Sequence, residues 1–368
     1  MPMRFSERVA GIEISGIRKI FEAAGPGSIN LGLGQPDFDT PQHIKDAAIA
    51  AIREGKTGYT SNNGIPELRT AVCKKFRKEN GLVYDPDQVI ITAGASEALH
   101  IVMQALVSVG DRVLCPDPGF VSYNALATLA GGRPVSVPLA RDLHIDVEQA
   151  KGLMDGARLL VLNSPGNPTG AVESKESIRA LVEYAADKDV TVVSDEVYEH
   201  FIYGGEHWSA GRFGDNVVTI NATSKTYAMT GWRLGYLAAP DEIVGQCIKV
   251  HQYCQACATS ISQYAAVAAY EGDQHMVKVM RDEYQARRDI IWRGLSGIGL
   301  EFPIPEGAFY AFVPMKPEVA QKIIESGVII VPGSAFGVNA PEYARLSYAT
   351  SRENLDRALD RIRSVIGG

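Results

Sequence analysis

Short apolar runs alternate with amphipathic stretches over most of the chain. Residues 88–92, 112–115, 135–138, 159–163, 191–194, 217–221 and 236–239 read as strands, rich in Val, Ile and Leu and too short to be helices. Between them, residues 43–54, 65–80, 96–108, 121–130 and 174–188 carry the spacing of helices with one apolar face. Thr40-Pro41 supplies the cap and first turn of one helix, and Gly81 closes another. A further helical pattern over 14–24 stops at Gly25-Pro26-Gly27, and residues 32–37 form a loop by their Gly and Pro content.

This alternation predicts an α/β fold: a large domain with a mostly parallel sheet of about seven strands, flanked by helices. Ligands of such sheets lie at the carboxyl ends of the strands. From about residue 241 to Leu295 the pattern is helical. Residues 300–368 mix strands (308–313, 328–331, 343–348) with helices, which predicts a smaller α+β domain. The expected division is an arm and helix over 1–34 packing with the small domain, a large domain over 35–270, and a small domain over 271–368.

Composition narrows the class. A chain of 368 residues exceeds what one core usually serves. Lys and Arg number 36 against 43 Asp and Glu, a net charge of −7 that argues against nucleic acid as partner. Five cysteines, an odd number, read as free thiols in a reducing compartment. The first fifteen residues lack the apolar core of a secretory signal, and no run is long enough to span a membrane. The expectation is a cytoplasmic protein without a membrane partner. Asn221-Ala222-Thr223 matches a glycosylation sequon by chance.

The residues that carry chemistry follow strands. Lys225, in Asn221-Ala-Thr-Ser-Lys-Thr-Tyr-Ala-Met-Thr-Gly-Trp-Arg-Leu-Gly-Tyr236, stands directly after Ser224 and eight residues before Arg233. Apolar surroundings would depress its pKa and leave a nucleophilic amine. Asp195, in Val193-Ser-Asp-Glu-Val-Tyr198, follows an apolar strand and could equally cap a helix. Asn163-Ser-Pro-Gly-Asn-Pro-Thr-Gly170 is a turn by composition, with Asn167 at its centre. Thr92-Ala-Gly-Ala-Ser-Glu-Ala-Leu99 passes from strand to helix with small residues, which suits a phosphate and also suits an ordinary turn. Cys254-x-x-Cys257, in a segment that looks helical, has no second Cys/His cluster to make a zinc site, and a structural role is expected. No metal site is expected.

Taken in order from Gly34 to Arg345, these pieces resemble the pyridoxal-phosphate-dependent aminotransferases of fold type I, in the branch of archaeal and thermophilic aspartate aminotransferases. The resemblance implies that Lys225 holds pyridoxal 5′-phosphate covalently and moves the substrate α-proton. Asp195 would pair with the cofactor's ring nitrogen, and Tyr198 and Asn167 with its ring 3-oxygen. Phe120 would lie against the ring, where some relatives carry tryptophan. Ala95, Ser96, Ser224 and Arg233 would hold the phosphate, with Ala222 where some relatives have serine. Tyr59, in Gly58-Tyr-Thr-Ser-Asn-Asn-Gly-Ile-Pro-Glu-Leu-Arg69, would reach the partner's cofactor across a homodimer. Arg345, in Tyr343-Ala-Arg-Leu-Ser-Tyr-Ala349, would bind the substrate α-carboxylate, helped by Asn167, Phe120 and the backbone of Gly34. The implied reaction is ping-pong transfer of an amino group to 2-oxoglutarate, with L-aspartate the first choice of donor. Aromatic or broad-range donors are the alternative, and a carbon–sulfur lyase is a third reading. No obvious cation matches the distal carboxylate of aspartate: Ser96 aligns with a lysine of some relatives, and Arg18 is a possible substitute.

Overall fold

The computed structural model describes residues 4–14, 25 and 27–367. The expected helix over 14–24, with Arg18, falls almost wholly outside these residues. Twelve strands are found among them: β1 (Ile29–Asn30), β2 (Val89–Thr92), β3 (Arg112–Asp117), β4 (Arg133–Pro138), β5 (Ala157–Asn163), β6 (Thr191–Asp195), β7 (Val217–Ala222), β8 (Gly235–Ala238), β9 (Tyr310–Pro314), β10 (Val328–Ile329), β11 (Val331–Pro332) and β12 (Tyr343–Ser347).

Seven strands make the main sheet, in the order β2-β8-β7-β6-β5-β3-β4. All run parallel except β8, which lies antiparallel to both β2 and β7. The central strands are covered on both faces. Leu159, Leu160 and Val161 of β5 and Val192 and Val193 of β6 are fully buried, which is why these segments are apolar without alternation. Helices fill the two faces. Lys175–Asp187 buries Ile178, Leu181, Val182 and Ala185 against one, a helical stripe whose start is capped by Ser174 Oγ accepting from Ser177 N at 3.0 Å. Ala95–Leu106 buries Leu99, Val102 and Met103 against the other.

The C-terminal part builds a second core, joined by Val197, Tyr198 and Phe201 from the segment after β6. Antiparallel β11-β12-β9 packs with helices His275–Ser296 and Arg352–Ile366 around Phe309, Leu346, Leu355 and Leu359. The N-terminal segment joins this part, since β1 pairs parallel with β10 in the register Ile29↔Val328.

Three expectations need correction. The single helix over 65–80 is an α-helix only over Pro66–Lys75, and Phe76–Asn80 winds as a wider π turn before Gly81 at φ 67°. The wider turn lets Asn80 turn inward beside Lys75, where both are buried. The single strand over 328–331 is two strands, β10 and β11, in different sheets. An unbroken apolar run cannot reveal that its halves take different neighbours. The Cys-x-x-Cys segment is not one helix: Cys254 ends the helix Asp241–Cys254, while Cys257 lies beyond it and accepts from Thr60 N at 3.5 Å.

Candidate active site

The carboxyl ends of β5, β6 and β7 open into a cavity of about 230 Å³. Asp195 closes β6 and is 4 % exposed. Its Oδ2 accepts from the Tyr123 hydroxyl at 2.8 Å, and burial raises its carboxyl to about 6. Lys225 stands on the short helix Thr223–Thr226 that follows β7, is half-buried and lines the cavity. Its Nζ donates to Gly34 O at 2.6 Å. Burial, helped by the charges of Arg345 and Arg233, lowers its amine to about 8, against the pull of Asp195. A substantial fraction is therefore neutral near physiological pH, the state in which an amine attacks a carbonyl or takes a proton.

One wall suits an anion. Gly94, at φ 84°, caps the helix that begins at Ala95. A side chain at Gly94 would fall 2.5 Å from Arg233 Nη2, and one at Gly235 would fall 2.6 Å from Ala95 N. The missing side chains let a guanidinium and a helix N-terminus stand together. Ser96, Ser224 and Thr230 add hydroxyls around this wall.

The opposite wall is built by β9 and β12. Arg345 is 2 % exposed. Its Nη1 donates to Asn167 Oδ1 at 2.9 Å and its Nη2 to Gly32 O at 2.6 Å, while Nε has no partner. The turn holding Asn167 is fixed in its turn: Asn163 Oδ1 accepts from Asn167 N at 2.8 Å, and Asn163 Nδ2 donates to Asp195 O at 2.9 Å. Phe120 covers a side of the cavity, edge-on to Tyr123 at 5.6 Å.

Most residues singled out from the sequence meet here. Lys225, Asp195, Tyr198, Asn167 and Phe120 line the cavity, as do Ala95, Ser96, Ser224, Arg233, Gly34 and Arg345. Tyr59 does not: it is 89 % exposed and absent from the lining. Sequence reasoning left Tyr123, Asn163, Thr230 and Tyr310 without roles, although Asn163 and Thr230 lie inside quoted motifs. Tyr310 gave no signal, since an aromatic in an apolar strand reads as core.

Residues 26–362 match the family model of class I and II aminotransferases. The chain belongs to that family. Its relatives include a probable aspartate aminotransferase of Methanocaldococcus jannaschii, 46% identical over 98% of this chain and 99% of that one. An aromatic-amino-acid aminotransferase of Thermococcus litoralis is 41% identical over 99% of this chain and 98% of its own length. Among solved structures, an aspartate aminotransferase from Thermus thermophilus with maleate superposes with a TM-score of 0.94 at 38% identity, covering 99% of this chain and 100% of that one. The fold is accordingly fold type I, and the protein is an aminotransferase dependent on pyridoxal phosphate.

The cavity fits that cofactor by its own chemistry. It offers a phosphate cradle at Gly94 and Arg233, a buried carboxylate for a ring nitrogen at Asp195, and at Lys225 an amine lowered to about 8 for the aldehyde. No helix among the described residues is long and apolar enough to cross a membrane.

Proposed function

We propose that this aminotransferase takes the amino group of L-aspartate and gives it to 2-oxoglutarate. The observation that carries the transfer chemistry is one cavity lined by Lys225, its amine lowered to about 8, together with the carboxylate of Asp195 and the guanidinium of Arg345. The names of the Methanocaldococcus and Thermus relatives support aspartate, and maleate, bound by the Thermus protein, is a dicarboxylate of the same length.

Arg345 holds the substrate α-carboxylate, its free Nε and its fork supplying donors, and Asn167 fixes the fork. Asp195 would pair with the ring nitrogen, Tyr198 and Asn167 with the ring 3-oxygen, and Phe120 would cover the ring face. Arg233, Ser224, Ser96 and the amide end at Ala95 would hold the phosphate. Bound there, pyridoxal phosphate supplies the electron sink that acidifies the substrate's α C–H. Lys225 would take that proton as the neutral amine and give it back as the ammonium so formed. Gly34, on the segment between the two cores, accepts the amine's hydrogen bond while it waits. Residues 35–270 act as the cofactor-binding domain, and residues 271–368 with the arm over 1–34 as the domain that excludes water around the substrate.

The active unit is a two-fold homodimer. Tyr59 and Tyr253, 89 % and 94 % exposed, are large aromatics of the kind a subunit interface covers, and Tyr59 then serves the partner's phosphate site. Five unpaired cysteines accord with a cytoplasmic location.

A specific observation favours aromatic donors as the second reading. Among the described residues the only cations lining the cavity are Lys225, Arg233 and Arg345, while Phe120 and Tyr310 give it aromatic walls. The test is the visible spectrum of the purified enzyme before and after each amino acid, without oxo acid. Bleaching by L-aspartate or L-glutamate with one equivalent of oxo acid supports the first reading. Bleaching only by phenylalanine or tyrosine overturns it for the second, and continuous release of pyruvate and ammonia would make the enzyme a lyase.

A further inference from the structure

Tyr310 is 1 % exposed yet lines the cavity, and it touches three of the groups assigned above. Its hydroxyl oxygen is 2.8 Å from that of Tyr198. Its ring lies under the Arg345 guanidinium, 4.5 Å from the centroid. A side chain at Gly34 would fall 2.1 Å from its hydroxyl, so the glycine is what admits it. The sheet explains the pairing with Arg345. Tyr310 of β9 faces Ser347 of β12, which places Arg345 at the diagonal position on the same face, within reach of long side chains.

We propose that Tyr310 is a positioning residue that acts through Tyr198, holding the Tyr198 hydroxyl so that its proton points at the cofactor's ring 3-oxygen, and that its ring separately braces Arg345 for the substrate carboxylate. The proposal rests on the site reading given above. Two neutral phenols that share one hydrogen bond keep one O–H free. If Tyr310 donates to Tyr198, the free O–H belongs to Tyr198 and is aimed into the cavity. Burial holds both phenols above their ordinary range, so both protons are present at working pH. Donation along such a pair strengthens the outer donor. A stronger donor at the ring oxygen favours the form of the Lys225–cofactor link that has lost its proton, and so lowers the pH at which its colour changes.

The experiment uses the cofactor-loaded enzyme and the variants Tyr310→Phe and Tyr310→Leu. The first removes the hydroxyl and keeps the ring; the second removes both. For Tyr310→Phe the pH midpoint of the visible absorbance should rise by about half to one pH unit, the size of one buried hydrogen bond. The KM for amino acid and oxo acid should stay within about twofold, because the ring under Arg345 remains. Tyr310→Leu should show the same spectral shift and in addition a KM raised about three- to tenfold for both substrates. In a Tyr198→Phe background, Tyr310→Phe should move the midpoint no further. An unmoved midpoint in Tyr310→Phe, with the wild type titrating normally, overturns the proposal alone. So does a lowered melting temperature with midpoint and KM unchanged in both variants, which is a packing role only. A wild-type enzyme whose colour does not depend on Lys225 overturns the site reading, and this proposal with it.

Discussion

Arg345 Nη1 donates to Asn167 Oδ1 at 2.9 Å, and through Asn163 the bond continues to the main chain of Asp195. A strand of the C-terminal sheet is thereby tied to the end of β6 through the Asn163 and Asn167 side chains and the main-chain atoms they meet. The carboxylate clamp and the buried acid cannot drift independently.

The first prediction tests this clamp. Arg345→Lys keeps the charge and loses the fork. The KM for both amino acid and oxo acid should rise about ten- to a hundredfold, the worth of one to two charge-assisted hydrogen bonds, with a smaller change in kcat. Steady-state kinetics with each substrate varied would check it. A fall in kcat at constant KM would place the role of Arg345 in the transition state instead.

Gly34 and Tyr310 form a steric pair. In Gly34→Ala the new methyl would fall 2.1 Å from the Tyr310 hydroxyl, while the next atoms of that ring lie at 3.0 Å and beyond. A forced shift of this kind beside the Lys225 perch should lower kcat/KM by about a hundredfold. Adding Tyr310→Phe removes the clashing oxygen, so the double variant should exceed Gly34→Ala in kcat/KM. If it falls below instead, the hydroxyl contact is not what makes the glycine necessary.

Cofactor uptake should depend on pH through Lys225. The amine reacts only when neutral, and its value of about 8 is set by burial with Arg345 and Arg233. The rate at which cofactor-free enzyme gains its visible band should fall about tenfold per pH unit below 8 and level off above it. A profile still rising beyond pH 10 would mean that the site does not depress the lysine.

Behind the cavity lies a buried charge cluster. Lys75 pairs with Glu199, and Glu199 also accepts from Asn80 at 2.6 Å and Asn221 at 2.6 Å. Against its burial, Lys75, His200 and His207 hold the Glu199 carboxyl down at about 2. Glu196, Glu199 and His207 converge closely enough to hold a metal ion, but the Lys75 ammonium already pairs with Glu199. Lys75→Met strands the buried carboxylate and should lower stability by about 3–5 kcal/mol. Lys75→Met with Glu199→Leu removes both charges and should cost less than the single change. Urea denaturation of the wild type and both variants would decide it.

His144 links the turn after β4 to the segment before β9, with Nε2 at 3.0 Å from Glu306 Oε2. The hydrogen bond to Glu306, against partial burial, raises the imidazole to about 9 from 6.5. A raised value means stability that is fully present below pH 6.5 and lost as pH climbs through 9. The pair is partly exposed, so its worth is about 1 kcal/mol or less. His144→Gln should melt below the wild type at pH 6 and level with it at pH 10. Equal melting temperatures at pH 6 would remove the pair from the stability of the protein.

The sequence by itself determined the strand-and-helix alternation, the turns and the side chains that follow strands. These are local properties: a buried strand must be apolar, Gly and Pro clusters mark turns, and a lysine or aspartate just past a strand lands at the sheet's carboxyl edge. Lys225, Asp195 and Asn167 were legible for that reason, and Arg233 by its spacing from Lys225 and a family resemblance that spans the chain. The tertiary structure decided what stands opposite what. Tyr310 touches Tyr198 from 112 residues away, and Lys75 finds Glu199 from 124. Neither pairing leaves a periodic trace, because contact across such distances is set by sheet order and strand register. The division of 328–331 between two sheets has the same cause. Apolar runs encode burial, and only the packed neighbours choose the partner.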